Sequence, residues 1–171
     1  AGGIIIVSLL VFFAPLFFSG QVFYFRDICQ EIVPKRWFLA QSQGEVLWNP
    51  YGFFGLPLAA NSQWSAFYPL NFFFMAGQAS RSVGFYIIFH FLVAMSGTYV
   101  LVRSLGKSWA SALAGALAFG YGGFLASAGV QVVVLNSAAW VMWLLWSARQ
   151  GVRTGRPAFA ALLGVFWALQ V

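Results

Sequence analysis

Long stretches without charge are the feature that most limits what this chain can fold into. No charged residue lies between Arg81 and Arg103, and none lies between Lys107 and Arg149. A helix needs about 20 apolar residues to cross the core of a bilayer, so both stretches are long enough. Hydrophobic residues make up 61% of the chain and charged residues only 7%, which argues against a water-soluble domain. We expect an all-α integral membrane protein, folded as a polytopic bundle of transmembrane helices.

The apolar stretches predict a single transmembrane domain over residues 1–171. The glycine-rich sequence GYGGFLASAG divides the longest charge-free stretch into two helices, because glycine is unfavourable inside a helix. The chain begins without Met and ends within an apolar run, so we expect a fragment of a longer polypeptide. The predicted spans cover residues 1–22, 82–102, 108–127, 129–148 and, cut off by the end of the chain, 157–171.

Basic residues predict the orientation of these spans. They follow the second and fourth spans in short connections, at Arg103, Lys107, Arg149, Arg153 and Arg156. Short cytoplasmic loops are rich in Lys and Arg, so both connections and the N-terminus are predicted to face the cytoplasm. The long segment 23–81, called the outer loop here, then lies on the outer side of the membrane. Orientation also explains the net charge of +6, and we expect no nucleic-acid partner.

The outer loop contains every carboxylate of the chain, at Asp27, Glu31 and Glu45. General acid or base catalysis and binding of a divalent metal both use carboxylates, so either chemistry is expected here. Asp27, Glu31 and Lys35 are spaced four residues apart, which would place them on one face of a helix. The plainer alternative is that these charges solvate the end of a membrane helix and pair with Arg26 and Lys35.

The rest of the outer loop combines prolines, glycines, aromatic residues and amides. Prolines interrupt the sequence WNPYGFFGLPLAANSQWSAFYPLNFFF, so we expect turns and short helices at the membrane surface. Its aromatic and amide side chains suit either a sugar or an interfacial aromatic belt. Basic side chains nearby suit either phosphate or lipid headgroups. The candidate substrate-binding residues are Arg26, Lys35, Arg36, Trp48, Asn49, Tyr51, Asn61, Gln63 and Tyr68.

The sequence resembles the YfhO-type membrane proteins in three features, which are an apolar first span, the pair RD at Arg26 and Asp27, and the sequence from Trp48 onward. YfhO-type proteins are relatives of the GT-C glycosyltransferases, which use polyprenyl-phosphate sugars. The likeness continues more weakly through GTYVLVRSLGKSWASALAGALAFGYGGFLA. It implies inverting transfer of a hexose from a lipid-linked donor on the outer face of the bacterial cytoplasmic (inner) membrane, with Asp27 as the catalytic base. Glu31 is a second candidate that matches no family motif, and the cofactor is left open, a divalent metal included.

A different class of function also fits the sequence: a non-catalytic accessory or scaffold subunit of a larger membrane complex. Small residues at Ala110, Ala114 and Ala118 would let helices approach closely, and His90 could bind a pigment. A histidine that is hydrogen-bonded to a neighbouring helix is the plainer interpretation of His90. A transporter is less favoured, because His90 is the one ionisable group within the predicted spans.

Two further expectations concern the fourth predicted span. Asn136 is expected to form a hydrogen bond between helices. The tryptophans that approach the basic end of this span are expected to anchor it at the headgroup level. They are Trp140, Trp143 and Trp146.

Overall fold

The structure is a computed structural model that describes residues 1–41, 47–52, 54–61, 65, 67–74 and 78–170. Over these residues the chain is mostly helical, as expected. It divides into two compact units. The helical unit comprises Ala1–Gln21 and Ile87–Gln170, and the loop unit comprises Val22–Tyr86.

The secondary-structure elements follow one another in this order along the chain: α1 (Gly2–Phe12), α2 (Ala14–Phe18), a π-helical turn (Ile28–Ile32), α3 (Val33–Gln41), β1 (Trp48–Asn49), β2 (Leu56–Pro57), a 3-10 helix (Pro69–Phe74), α4 (Ala79–Ser104), α5 (Trp109–Gly120), α6 (Gly123–Ala128), α7 (Val132–Thr154) and α8 (Pro157–Ala168). The two short strands pair antiparallel, with Trp48 opposite Pro57 and Asn49 opposite Leu56.

Two of the described helices, α4 and α7, are long and apolar enough to cross a membrane. α4 covers the whole of the predicted span 82–102. α7 begins three residues after the predicted start of the span 129–148 and continues past its end to Thr154. The other apolar helices, α1, α5 and α8, are shorter than 18 residues.

The predicted spans 1–22 and 108–127 are each interrupted. In the first, α1 ends at Phe12 and α2 runs only to Phe18, because Pro15 has no N–H for the helical hydrogen bond. In the second, α5 ends at Gly120 and α6 begins at Gly123, because successive glycines lower the stability of a helix. The sequence predicts a division near residue 128, where α6 does end, but it does not predict this additional break after Gly120.

A face of small residues on α5 packs within the helical unit, but it is not the predicted one. Ala112, Ala116 and Gly120 are buried, whereas the predicted Ala110, Ala114 and Ala118 are exposed. Both sets recur every four residues, so spacing alone could not distinguish the two faces. A Cβ atom built on Gly120 would lie 2.4 Å from Cγ of Met95, so glycine permits close contact with α4 here.

Tryptophans of α7 pack against neighbouring helices rather than serving only as headgroup anchors. The Trp143 indole N–H donates a hydrogen bond to the Val93 carbonyl of α4 at 2.9 Å. The ring of Trp140 stacks on Phe166 of α8, with centroids 5.8 Å apart. Trp146 meets Phe159 of α8 edge to face at 5.7 Å. The sequence pattern could not separate this packing role from interfacial anchoring, because both favour tryptophan.

The predicted interhelical hydrogen bond of Asn136 is absent from the described residues. Asn136 is 1% exposed, and neither its Oδ1 nor its Nδ2 has a hydrogen-bond partner among them. A different polar pair joins elements of the helical unit, since the Tyr121 hydroxyl donates to Oγ of Ser8 at 2.8 Å.

Because α4 and α7 are in close contact at Gly97, we expect a single methyl group added there to lower the stability of the protein. A Cβ built on Gly97 would lie 2.7 Å from Cδ1 of Trp143, and moving the indole away would break its bond to Val93. We expect Gly97→Ala to lower the free energy of unfolding by about 1–3 kcal/mol. Thermal unfolding of the full-length protein in detergent measures this change.

Gly164→Ala is the matched control for Gly97→Ala. It is also a glycine-to-alanine change inside a helix, and no atom lies within 4 Å of the added Cβ. We expect the control to be neutral or stabilising by up to about 1 kcal/mol. Equal effects of the two variants would contradict the proposed contact of Gly97 with the indole.

Candidate functional site

A cleft of about 610 Å³ opens in the loop unit. One wall is formed by the π-helical turn and α3, and the other by the β1–β2 hairpin with residues that follow it. Its lining residues are Gln30, Glu31, Pro34, Lys35, Trp37, Phe38, Asn49, Tyr51, Gly52, Leu56 and Asn61. The volume lies within the range of small-molecule sites in proteins, about 300–1,000 Å³.

The helical wall follows from how the chain accommodates Pro34. Proline lacks an N–H and disfavours the interior of a helix, but the first turn of an α-helix tolerates it. Here a π-helical turn, in which the Val33 N–H bonds back to the Ile28 carbonyl, precedes α3 and leaves Pro34 in its first turn. The helical backbone is therefore continuous past Pro34, and side chains on both sides of it share one wall.

Glu31 and Lys35 form an ion pair on this wall, as their four-residue spacing predicts. Nζ of Lys35 lies 2.6 Å from Oε2 of Glu31. The Glu31 side chain is 53% exposed and that of Lys35 is 17% exposed, so the pair lies at the rim of the cleft. An ion pair whose carboxylate is half-exposed contributes little to folding stability.

Asn49 supplies a fixed amide on the hairpin wall. Its Oδ1 accepts a hydrogen bond from the Tyr51 backbone N–H at 2.9 Å, which holds the side chain in an Asx turn. The Nδ2 donors have no hydrogen-bond partner among the residues that the structure describes. Asn49 is 8% exposed and lines the cleft, so it is a preoriented donor for a ligand.

Aromatic rings complete the cleft. The ring of Phe38 meets that of Tyr51 edge to face, with centroids 5.9 Å apart. Tyr51 is 85% exposed and Trp37 is 57% exposed, so large ring surfaces are accessible beside charged and amide groups. We did not predict Trp37 and Phe38. The helical spacing of Glu31, Lys35 and Phe38, i, i+4 and i+7, was a signal that could have found Phe38.

The structure divides the predicted site residues into two groups. Those that line the cleft are Glu31, Lys35, Asn49, Tyr51 and Asn61. Those outside it are Arg26, Asp27, Arg36, Trp48 and Tyr68. Two other residues of interest, Gln63 and the third acidic residue Glu45, lie outside the described residues.

Asp27 occupies the N-cap position of the π-helical turn, where its side chain makes no capping hydrogen bond, and it does not line the cleft. Its carboxylate forms no ion pair or hydrogen bond with any described residue, and the side chain is half-buried. Arg26 precedes it with a left-handed backbone, φ 49°, and its guanidinium lies 5.9 Å from the centroid of the Phe25 ring. The catalytic role of Asp27 remains a prediction from the family resemblance.

Trp48 supports the hairpin from outside the cleft. A Cβ built on Gly55 would lie 2.2 Å from Cζ2 of Trp48, so the indole packs directly over the glycine backbone. Gly55 also has a φ of 115°, a value that side chains rarely adopt. The turn thus requires glycine for two independent reasons.

Arg36 is buried within the loop unit, which differs from the predicted contact with phosphate or headgroups at a surface. It is 2% exposed, and its Nη1 donates to Oδ1 of Asn71 at 2.5 Å. Its guanidinium lies 5.7 Å from the Tyr86 ring centroid, and Tyr68 contacts Tyr86 edge to face at 6.0 Å. Burial lowers the pKa of Arg36, an effect that Tyr86 partly opposes, but arginine stays charged in proteins.

Neither a metal site nor a pigment site gains support from the described residues. No group of three or more His, Cys, Asp or Glu side chains is close enough there to bind a metal ion. His90, the proposed pigment ligand, is 0% exposed, and its ring contacts that of Phe89 at 5.8 Å. Burial is common to both interpretations of His90, so its hydrogen bond to a neighbouring helix stays a prediction.

The contacts of Arg36 make Asn71 important for stability. Asn71 accepts from Arg36 and donates through Nδ2 to the Ser65 carbonyl. We expect Asn71→Ala to destabilise the protein by about 1–3 kcal/mol, because a buried charge loses an acceptor. The control is Gln41→Ala at an exposed position of α3. Thermal unfolding in detergent compares the two, and a change no larger than that of the control would contradict this role.

The comparisons with known proteins give no family assignment. No protein-family model, no curated protein and no solved structure matches this chain.

Proposed function

We propose that this chain belongs to a GT-C-like membrane glycosyltransferase that transfers a sugar from a polyprenyl-phosphate-linked donor on the outer face of the bacterial cytoplasmic membrane. The observation that carries the proposal is the cleft of the loop unit, in which a carboxylate, an ammonium group, amides and exposed aromatic rings meet. The proposal rests also on the resemblance of the sequence to YfhO-type proteins.

Membrane anchoring is supported by α4 and α7, whose length and composition allow them to cross a bilayer. The basic residues near their C-terminal ends, Arg103 on α4 and Arg153 on α7, favour a cytoplasmic location for those ends. In a multi-pass protein oriented in this way, the loop unit faces outward. A polyprenyl-phosphate sugar presented at the outer leaflet would then be within reach of the cleft.

The composition of the cleft suits a sugar ring. Sugars present hydroxyl groups around their edge and C–H groups on their faces, so they need both amide partners and flat apolar surfaces. Asn49 provides fixed N–H donors, and the exposed rings of Trp37 and Tyr51 provide stacking surfaces. Such a mixture of apolar surface with a few oriented polar groups is typical of small-molecule sites.

The rim charges suit the chemistry of inverting transfer. An acceptor hydroxyl attacks the anomeric carbon of the sugar, and the bond from that carbon to the phosphate oxygen breaks with its electron pair on the phosphate. The hydroxyl proton passes to a carboxylate, for which we assign Glu31 because it lines the cleft. Lys35, paired with Glu31 at 2.6 Å, would stabilise the charge that develops on the leaving phosphate.

The test is transfer of hexose from a polyprenyl-phosphate donor by the full-length protein in its membrane. We expect Glu31→Gln to lower kcat/KM by about 10²–10⁴-fold, the usual contribution of a general base. Lys35→Gln breaks the same ion pair and removes the charge proposed to stabilise the leaving phosphate, so it should lower kcat/KM as well, whereas a purely structural role of the pair would lower the unfolding temperature of both variants. Glu31→Gln should be the more damaging of the two, with the unfolding temperature of both variants little changed.

Asp27→Asn is the matched change at the carboxylate outside the cleft. If it abolished transfer while Glu31→Gln did not, the base would be Asp27, as the family resemblance implies, and the assignment of Glu31 would be wrong. If the wild-type protein transferred no sugar from any polyprenyl-phosphate hexose, the enzymatic proposal would fall. A non-catalytic accessory or scaffold subunit would then be the better account.

A further inference from the structure

Asn49 is the most enclosed polar residue of the cleft. Among the described residues that line the cleft, Asn49 alone is buried, with 8% of its surface exposed. Its Nδ2 has no hydrogen-bond partner in the described part of the chain, yet this atom is not fully covered. A donor that is mostly removed from water and has no acceptor costs free energy. A ligand oxygen that enters the cleft would supply the missing acceptor.

The hairpin fixes this donor before any ligand binds. Asn49 lies on β1 opposite Leu56 of β2, and its Oδ1 accepts a hydrogen bond from the Tyr51 backbone N–H at 2.9 Å. Because Oδ1 is held in this way, the Nδ2 group of the same planar amide is held as well. Gly52 also lines the cleft, and a Cβ built there would lie 3.8 Å from Nδ2. Since glycine has no side chain, this position leaves Nδ2 uncovered.

We propose that Asn49 determines which sugar the cleft accepts, because its Nδ2 donates a hydrogen bond to the oxygen of one ring hydroxyl of a hexose. A sugar that lacks this hydroxyl leaves the donor unpaired, so the site rejects the deoxy analogue. A donor that is already oriented discriminates well, because little ordering of the side chain offsets the gain from the bond. The inference rests on the proposed function and deepens it by naming the residue that selects the sugar.

The experiment measures binding of soluble hexose 1-phosphates to the full-length protein in detergent by titration calorimetry. These probes keep the sugar–phosphate bond of a polyprenyl-phosphate hexose. Glucose, galactose and mannose 1-phosphates identify the hexose that binds most tightly, and its singly deoxygenated analogues identify the hydroxyl that is recognised. We expect loss of one particular hydroxyl to weaken binding by about tenfold or more, the effect of leaving a mostly buried donor unpaired.

Asn49→Asp keeps an oxygen that accepts from the Tyr51 N–H but removes both amide donors. It should bind the preferred hexose and the critical deoxy analogue within about twofold of each other, because nothing is left to tell them apart. Gln41→Glu is the matched control, since it adds the same charge at an exposed position of α3 outside the cleft, and it should keep the preference. If Asn49→Asp weakened both ligands equally, charge repulsion alone would explain the loss and the proposal would be overturned.

Two further observations test the proposal even if Asn49→Asp fails to fold. Gly52→Val adds methyl groups near Nδ2 and should remove the same preference. A wild-type protein that binds no hexose 1-phosphate, or binds every deoxy analogue within about twofold of the parent hexose, would refute the role of Asn49.

Failure of the proposed function has a different result. A protein that shows the hydroxyl preference but transfers no sugar would bind sugars without being a transferase. A protein that transfers sugar without this preference would refute only the role of Asn49.

Discussion

The constraint on which this structure depends is that an apolar chain must satisfy its backbone hydrogen bonds within itself. A helix does so locally, and for this reason the charge-free segments fold into helices. Where Pro15 or the glycines from Gly120 to Gly123 occur, the helices stop. The loop unit is rich in proline and glycine and cannot rely on long helices. It is held instead by side-chain contacts, of which the buried Arg36 and its bond to Asn71 are the most demanding.

Regular patterns in the sequence predicted regular structure well. The charge-free segment between Arg81 and Arg103 predicted α4, and the spacing of Glu31 and Lys35 predicted their ion pair. The choice between equivalent faces could not be predicted, because Ala110, Ala114 and Ala118 have the same spacing as the face of α5 that is buried. Which face packs is decided by contacts distant in sequence, such as that of Gly120 with Met95.

The candidate site was predicted in part for similar reasons. Composition indicated that carboxylates, amides and aromatic rings of the outer loop would act together, and several of them do line one cleft. The family resemblance favours Asp27 over Glu31 as the catalytic base, whereas Glu31 and not Asp27 lines the cleft, so the identity of the base stays a prediction. Sequence could not show that Arg36 is buried, because burial of a charge depends on an acceptor, Asn71, that lies far along the chain.

The central proposal is a membrane orientation in which the loop unit faces outward and the C-terminal end of α7 faces the cytoplasm. Single cysteines at Tyr51 and Thr154, both exposed, can test it in intact cells once Cys29 is replaced by Ser. A membrane-impermeant maleimide should label Tyr51→Cys in intact cells and Thr154→Cys only after the cells are permeabilised. Labelling of both positions in intact cells, or of Thr154→Cys alone, would contradict the account.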